Sequence, residues 1–391
     1  MKITKYKVSE NIALISFSLY IMFNFYDRSL SNIFLLLSLA FCLVSYKSLY
    51  DTLKANSQLV KAIIIFTAYI SVLAVYHKTP ISELDNYYRF LLLLPLILIT
   101  LNENRIKILI FLCAGLGIIH AFNNGAFYGI NLYPVNVYRY EGTSSVAITY
   151  ANMCATLFVM CLYYIFYRND KSFINIISTI IFLLLFILTE TRGPIIGIIL
   201  TLLYMAYAIR SSDKNNINSI GPIVFLFVFL ALLIIVPNPI VERIKLVLES
   251  NLDNQSKIVN SSMRERAYFL NFGINKIKNH YLLGIGPQNV KSSMIESLES
   301  QEIANITASD HIHNEFLDII LKFGFISLIL LFFIYLNLIK SKNTENRVLL
   351  NILMIMLISS QITQSQFAHH QAITFFICLF YMNQNKINQK P

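Results

Sequence analysis

"SDHIHNEFLDIILKFGFISLILLFFIYLNLIK", residues 309 to 340, is the stretch whose reading decides the fold. From Phe316 onward it is apolar and long enough to cross about 30 Å of hydrocarbon as a helix. Lipid offers no partner to an unpaired backbone group, so such a segment has to be helical. Yet the run opens on His311, His313, Asn314 and Asp318. A helix that only crosses a membrane gains nothing from these groups, so the polar mouth must face something.

Working outward, similar apolar runs recur along the chain, at about 11–27, 31–46, 59–77, 87–101, 106–121, 144–167, 172–190, 194–209, 219–236, 314–340, 347–363 and 369–384. The spacing predicts an all-α, polytopic integral membrane protein with about twelve transmembrane helices, the shorter fourth and fifth being tilted or re-entrant. Composition agrees: 56% of the 391 residues are hydrophobic, 13% are charged and tryptophan is absent. That balance is far from a soluble average. No small-residue cleavage site follows the first apolar run, which is therefore read as a retained helix. The cysteines (Cys42, Cys113, Cys154, Cys161, Cys378) all fall inside apolar runs with no CxxC pair. They read as small core hydrophobes, not disulfide partners or metal ligands.

The formal charge of +10 invites a nucleic-acid reading, but the cations are scattered among short loops instead of forming a basic stripe. Their placement reports topology. With Lys2, Lys5 and Lys7 in the cytoplasm and the side alternating at each span, Lys47, Lys54, Arg105, Lys107, Arg168, Lys171, Arg210, Lys340, Arg347 and Lys386 all fall in cytoplasmic loops. This is what the positive-inside rule asks, and it sets both termini in the cytoplasm. The predicted organisation is an N-terminal transmembrane bundle (1–236), a periplasmic loop subdomain (237–313) and C-terminal transmembrane helices (314–391). In the loop, Tyr268, Phe269, Phe272, Ile274 and Ile277 recur near helical spacing, which predicts an amphipathic helix. "GIGP" at 284–287 lacks the third glycine and the βαβ context of a dinucleotide loop and reads as a turn after that helix.

Three features collect on the outer face of this topology. In "TETRGPIIGIIL", Glu190 and Arg192 sit between two apolar runs at a Gly193-Pro194 break. Ionised groups near membrane depth are costly and usually face a cavity; the alternative is that Arg192 snorkels to the interface with Glu190 as its partner. In "SSMRERAYF", Arg264 and Arg266 head the loop helix, and an arginine fork matches two phosphate oxygens at once; a solvated helix face is the alternative. The third is His313 at the start of a long helix, where the helix dipole opposes protonation and favours a neutral imidazole. Arginines and a candidate base on one membrane face suit chemistry on a lipid-linked phosphate.

"TETRG", then "MRERAYFLNFGINKIKNHYLLGIGPQN" in a large outer loop, then "HIHNEFLDIILKFGFISLI" opening the next span, resemble the O-antigen ligase and polymerase superfamily in motif order over roughly residues 140–340. The resemblance implies a metal-independent glycosyltransferase with a GT-C-type helical fold and no cofactor. Its donor would be a glycan on undecaprenyl diphosphate at the periplasmic face of the bacterial inner membrane. By position, Arg192, Arg264 and His313 would be catalytic, and "YRYEGTSS" resembles a family stretch through Arg139 and Gly142. Arg139, Arg266, Asn314, Glu190, Asp318 and His370 are the candidate substrate-binding residues; Asn314 could equally be a helix cap. Within the superfamily a ligase transfers the finished glycan to lipid A–core, whereas a polymerase joins one lipid-linked repeat to another. The spacing from "TETR" to "HIHNE" resembles ligases more. A transporter or flippase would place its polar groups near the bilayer midplane in repeated halves; here they collect at outer ends without a repeat. A non-catalytic polysaccharide assembly partner is the third alternative. The sequence is silent on the sugar, the linkage and the oligomeric state.

Overall fold

The computed structural model describes residues 2–124, 126, 140–144, 146–212, 220–235, 259–300, 306–341 and 343–384. Every regular element among them is helical. Five helices are long and apolar enough to cross a membrane: Ser57–His77, Glu103–Asn123, Ala147–Tyr167, Gly193–Ser211 and Thr344–Thr363. A sixth span results if Arg28–Val44 and Tyr46–Ala55, bent by 89° at Ser45, count as one. Phe173–Leu188 and Phe325–Leu338 are apolar but shorter. The fourth apolar run is not one long helix: Asp85–Leu92 gives way to a 3-10 turn, Leu94–Leu98, with Pro95 at its start.

Ala147–Leu162 and His370–Gln384 form the centre of the bundle, with nearly every described side chain buried. Small residues let neighbouring helices close on this centre, as in membrane helix packing generally. Gly193 and Gly197 lie one turn apart against Thr344–Thr363; a Cβ on Gly193 would sit 2.9 Å from Thr363 Oγ1, and one on Gly197 would collide with Ser359 Oγ. This contact carries the "TETRG" turn to the end of the Thr344–Thr363 helix.

The opening stretch itself is broken. Glu315–Phe323 and Phe325–Leu338 are separate helices, interrupted at Gly324 with φ 79°. A helix end leaves carbonyls without intrahelical partners, and here another segment supplies them. Ile285 N donates to Leu321 O at 2.8 Å, Gly286 N to Lys322 O at 3.0 Å, and Phe325 N to Tyr281 O at 2.7 Å. Tyr69 Oη adds a bond to Phe323 O at 3.2 Å. The "GIGP" turn is thus a plug for a broken helix, with Gly284 and Gly286 at positive φ (70° and 83°) where the chain turns to present the Ile285 and Gly286 N–H groups.

The described part of the outer loop has a core of its own. Helices Val259–His280 and Asn289–Ser300 bury Phe269, Phe272, Val290, Met294 and Leu298 against Ile312 and Leu321. Phe269 and Phe272 are buried as the periodicity requires, but Ile274, assigned to the same face, is 42% exposed. Thr79 Oγ1 donates to Gln288 Oε1 at 2.7 Å and His77 Nε2 to Leu283 O at 2.9 Å, clasping the short 77–87 loop to this unit.

Candidate functional site

His313 is the residue just before the helix, with Asn314 as the N-cap. Asn314 Oδ1 accepts from Leu317 N at 3.1 Å and its Nδ2 donates to Ile362 O at 3.2 Å. A capping asparagine has extended backbone, and the turn that aims the chain into it gives His313 a left-handed φ of 57°. For a non-glycine residue that conformation costs on the order of 1 kcal/mol and marks a position the surroundings over-determine.

Two carboxylates on the first turns of the helix provide that determination. Asp318 Oδ1 accepts from Ile312 N at 3.1 Å while its other oxygen pairs with Lys322 Nζ at 2.7 Å. Glu315 Oε2 accepts from Phe367 N at 2.8 Å. Both acids are wholly buried. One thus ties down the loop carrying His311 and His313, and the other the loop carrying Gln364 and His369. Asp318, expected among the substrate-binding residues, is occupied beneath the site in holding it.

The imidazoles then form a directional chain. His313 Nδ1 donates to Gln364 Oε1 at 2.8 Å, and Gln364 Nε2 donates to His369 Nε2 at 2.8 Å. With Nδ1 engaged as donor, the lone pair of neutral His313 is on Nε2. Its ring lies over Phe269 (centroids 5.5 Å apart, 32° between planes) and against His311 at 4.5 Å. Burial, then the neighbouring His311, pushes the His313 pKa down to about 4, and the positive Arg266 guanidinium acts in the same direction. His313 is therefore neutral at pH 7. His311 is held by Asp310, Nδ1 to Oδ1 at 2.6 Å, which keeps the Asp310 carboxyl well below the usual carboxylate range. A cavity of about 390 Å³ opens beside this group, lined by Glu265, Phe269, Lys291, Ser309, Asp310 and His313.

Arg192 occupies the N-cap position of Gly193–Ser211 and is half-buried; Glu190 is 4% exposed with φ 52°. The Gly193–Thr363 approach sets this turn beside Gln364, so "TETRG" and "HIHN" share a neighbourhood. Arg264 lies on the Val259–His280 helix, but its side chain is outside the described set, and Arg139 lies outside the described residues. Gly142 is described: it has φ 61°, and a Cβ there would collide with the Tyr150 ring.

His370 belongs to a second cluster that sequence reading missed. Arg28 Nη2 donates to His370 Nε2. Arg89 bonds Thr374 Oγ1 at 2.7 Å, Asp85 Oδ2 at 2.5 Å and Asn86 Oδ1 at 3.1 Å. The next residue, Gln371, donates to Thr143 Oγ1 at 3.3 Å, and Thr143 donates to Asn24 O. The available signal was Arg89 inside an apolar run and Arg28 at the mouth of another, the anomaly already used for Arg192. Among the described residues no group of three His, Cys, Asp or Glu side chains could hold a metal ion, and all five cysteines are buried and free.

An electrically neutral imidazole with its lone pair on Nε2, the Arg266 guanidinium acting on it and a cavity alongside can accept a proton from a hydroxyl while anionic charge develops on a leaving group. At this point the comparison with known families is informative. The model of a family described as O-antigen ligase matches residues 177–332, from within Phe173–Leu188 to the middle of Phe325–Leu338. The match supports the O-antigen ligase and polymerase family for this chain. No curated protein matches it.

Proposed function

We propose that this chain is an O-antigen ligase-type glycosyltransferase that moves a glycan from undecaprenyl diphosphate to a sugar hydroxyl of lipid A–core. The bond to break joins the anomeric carbon to the lipid diphosphate. The acceptor hydroxyl loses its proton to His313 Nε2, its oxygen bonds to the anomeric carbon, and undecaprenyl diphosphate departs with the bonding electron pair. General-base help of this kind contributes on the order of 10²–10⁴ in rate. Arg192 and Arg264 stabilise the growing diphosphate charge, Arg266 and Arg139 are assigned to binding the donor, and Glu190 orients the arginines. Pre-placed cations of this sort act most strongly where water is excluded. We add Arg28, Arg89 and His370 to the anion-facing set. Asn314 and Asp318 hold His313 in register.

The reading carries with it a GT-C-type frame of about twelve spans in the bacterial inner membrane, divided at 236/237 and 313/314. Both termini are cytoplasmic and the site opens to the periplasm. The observation that carries the proposal is the fixed, neutral His313, with Nδ1 held by Gln364 and the ring edge at a cavity. The test is a lipopolysaccharide gel from the native host with this gene deleted, then complemented with wild type, Arg192→Ala, Arg264→Ala or His313→Ala at matched membrane levels. Bare core with accumulating lipid-linked polymer, unrescued by the variants, is the expected result. Core bearing a single repeat identifies a polymerase instead. Full rescue by His313→Ala removes the base.

A further inference from the structure

A cavity larger than the one beside His313 lies along the outer-loop helices. It measures about 500 Å³ and runs along the Val259–His280 helix, with Tyr268, Asn271, Phe272, Asn275 and Asn279 on that helix and Ser297 facing them from Asn289–Ser300. Its volume falls in the range of small-molecule sites, roughly 300–1,000 Å³.

The lining has a definite chemistry. Asn271, Asn275 and Asn279 recur every fourth residue, which stacks their side chains on one face of a helix. At 1.5 Å rise per residue the ladder is about 12 Å long. Each amide offers an acceptor oxygen and two donors, and all three are exposed. None of the three has a hydrogen-bond partner among the described residues, whereas Asn24, Asn56, Asn124, Asn175, Asn337 and Asn383 all donate to a nearby backbone carbonyl. Phe272 is the apolar floor, 5% exposed. Tyr268 forms an edge, and its hydroxyl donates to Ser297 Oγ at 2.9 Å, which fixes the ring. Lys276 is the single charge among the lining residues.

Three unengaged amides and a fixed aromatic edge match a chain of hydroxyls and apolar C–H faces. An anionic ligand would call for clustered arginines, and a lipid tail would call for a greasy lining. We infer that this groove is a carbohydrate subsite that holds sugar residues remote from the bond being broken. The same helix lines both cavities: Phe269, under the His313 ring, adjoins Tyr268 in sequence. That shared helix is the link between the two cavities. The inference rests on the glycosyltransferase reading, and the ligand has two possible sources, the transferred polymer or the acceptor core.

The experiment is a binding titration on the full chain in lipid nanodiscs, read by saturation-transfer NMR. One probe is the water-soluble polysaccharide released from the host's lipopolysaccharide by mild acid; the other is core oligosaccharide without polymer. Wild type and His313→Ala should bind with the same affinity. The combined Asn271→Ala, Asn275→Ala and Asn279→Ala variant should bind at least about tenfold more weakly, since each lost hydrogen bond to a hydroxyl removes a modest increment. Asn275→Trp, which fills the groove, should weaken binding equally and guards against a fold effect in the triple variant. Binding of the polymer probe alone assigns the groove to the donor glycan, and binding of both assigns it to the acceptor. Equal affinity of wild type and both groove variants overturns the subsite, as does failure of wild type to bind either probe. Loss of binding in the variants of a chain that transfers no glycan leaves the subsite standing and removes the enzyme.

Discussion

Charges gather at both ends of this helical bundle, and they are treated in opposite ways. At one end Lys107 Nζ meets Asp170 Oδ2 at 2.5 Å and Glu103 Oε1 at 3.0 Å, while Arg168 joins Glu103 Oε2 at 2.6 Å and also pairs with Glu345. These contacts tie together three segments that the positive-inside pattern assigned to the cytoplasmic side. Lys107 and Arg168 each face two acids there, and Asn169 between Arg168 and Asp170 turns through a left-handed φ of 54°. At the other end His313 is supported by a neutral amide and two other imidazoles, on a left-handed backbone, beside a cavity. Saturated ion pairs fasten helices, whereas buried groups left basic on one atom are arranged for chemistry. Substitutions at the first end should therefore move stability and those at the second should move activity.

The largest expected effect is His313→Ala, with glycan transfer falling about 10²–10⁴-fold while the melting temperature in detergent stays within a few degrees. A reconstituted transfer assay against matched protein levels measures it. A loss of less than about tenfold would break the comparison, because His313 would then be another packed side chain.

Next in size is Gly324→Ala. A Cβ at φ 79° collides with Leu282 O, and strain of this kind costs about 1–3 kcal/mol before the plug at Tyr281–Gly286 is displaced. Thermal unfolding should show the loss, and activity should fall with it because the helix that positions His313 ends there. Gly324 also marks the limit of what the sequence reveals. The length and apolarity of the run made the membrane helix legible, and its polar mouth made the site legible. One glycine in such a run is tolerated in a continuous helix, and the partner that makes it a break lies in a different segment, at 281–286. Gln364 was invisible for a similar reason: a neutral amide at the end of an apolar run carries no signal until its bond to His313 is seen. Arg28 and Arg89 were in plain view as charges at helix mouths. His370 was already a candidate; what was missing was Thr374 and the fold that sets Arg28 against His370 and Arg89 against Thr374.

Gln364 gives the third test. Gln364→Leu removes the acceptor for His313 Nδ1 and frees both the ring and its tautomer; transfer should fall about tenfold through misplacement of the base. Gln364→Glu separates this from simple loss of shape. In wild type the base is the neutral imidazole with a pKa near 4, so activity is flat at neutral pH and is lost as pH falls through about 4. A carboxylate in place of the amide stabilises the imidazolium and raises that pKa, so the acid limb of kcat/KM should move upward by about 1–2 pH units. An unmoved limb would mean that His313 is not the titrating base.

The smallest effect is expected where the pairing is densest. Lys107 and Glu103 are 13% and 30% exposed at the side chain, so solvent screens part of their attraction, and exposed pairs of this type measure about 0.2–1 kcal/mol. A double-mutant cycle with Lys107→Ala and Glu103→Ala should give a coupling near the top of that range, because each partner keeps a second contact, to Asp170 or Arg168, that holds it in place. Transfer activity at permissive temperature should be unchanged in both single variants. A selective loss of activity at full stability would mean that this end of the bundle is coupled to the sugar-transfer site. The route for such coupling exists, because the Thr344–Thr363 helix begins next to Arg168 through Glu345 and ends at Gln364. Its retained activity in the Lys107 and Glu103 variants would mean that this helix carries load between the two ends without carrying the reaction.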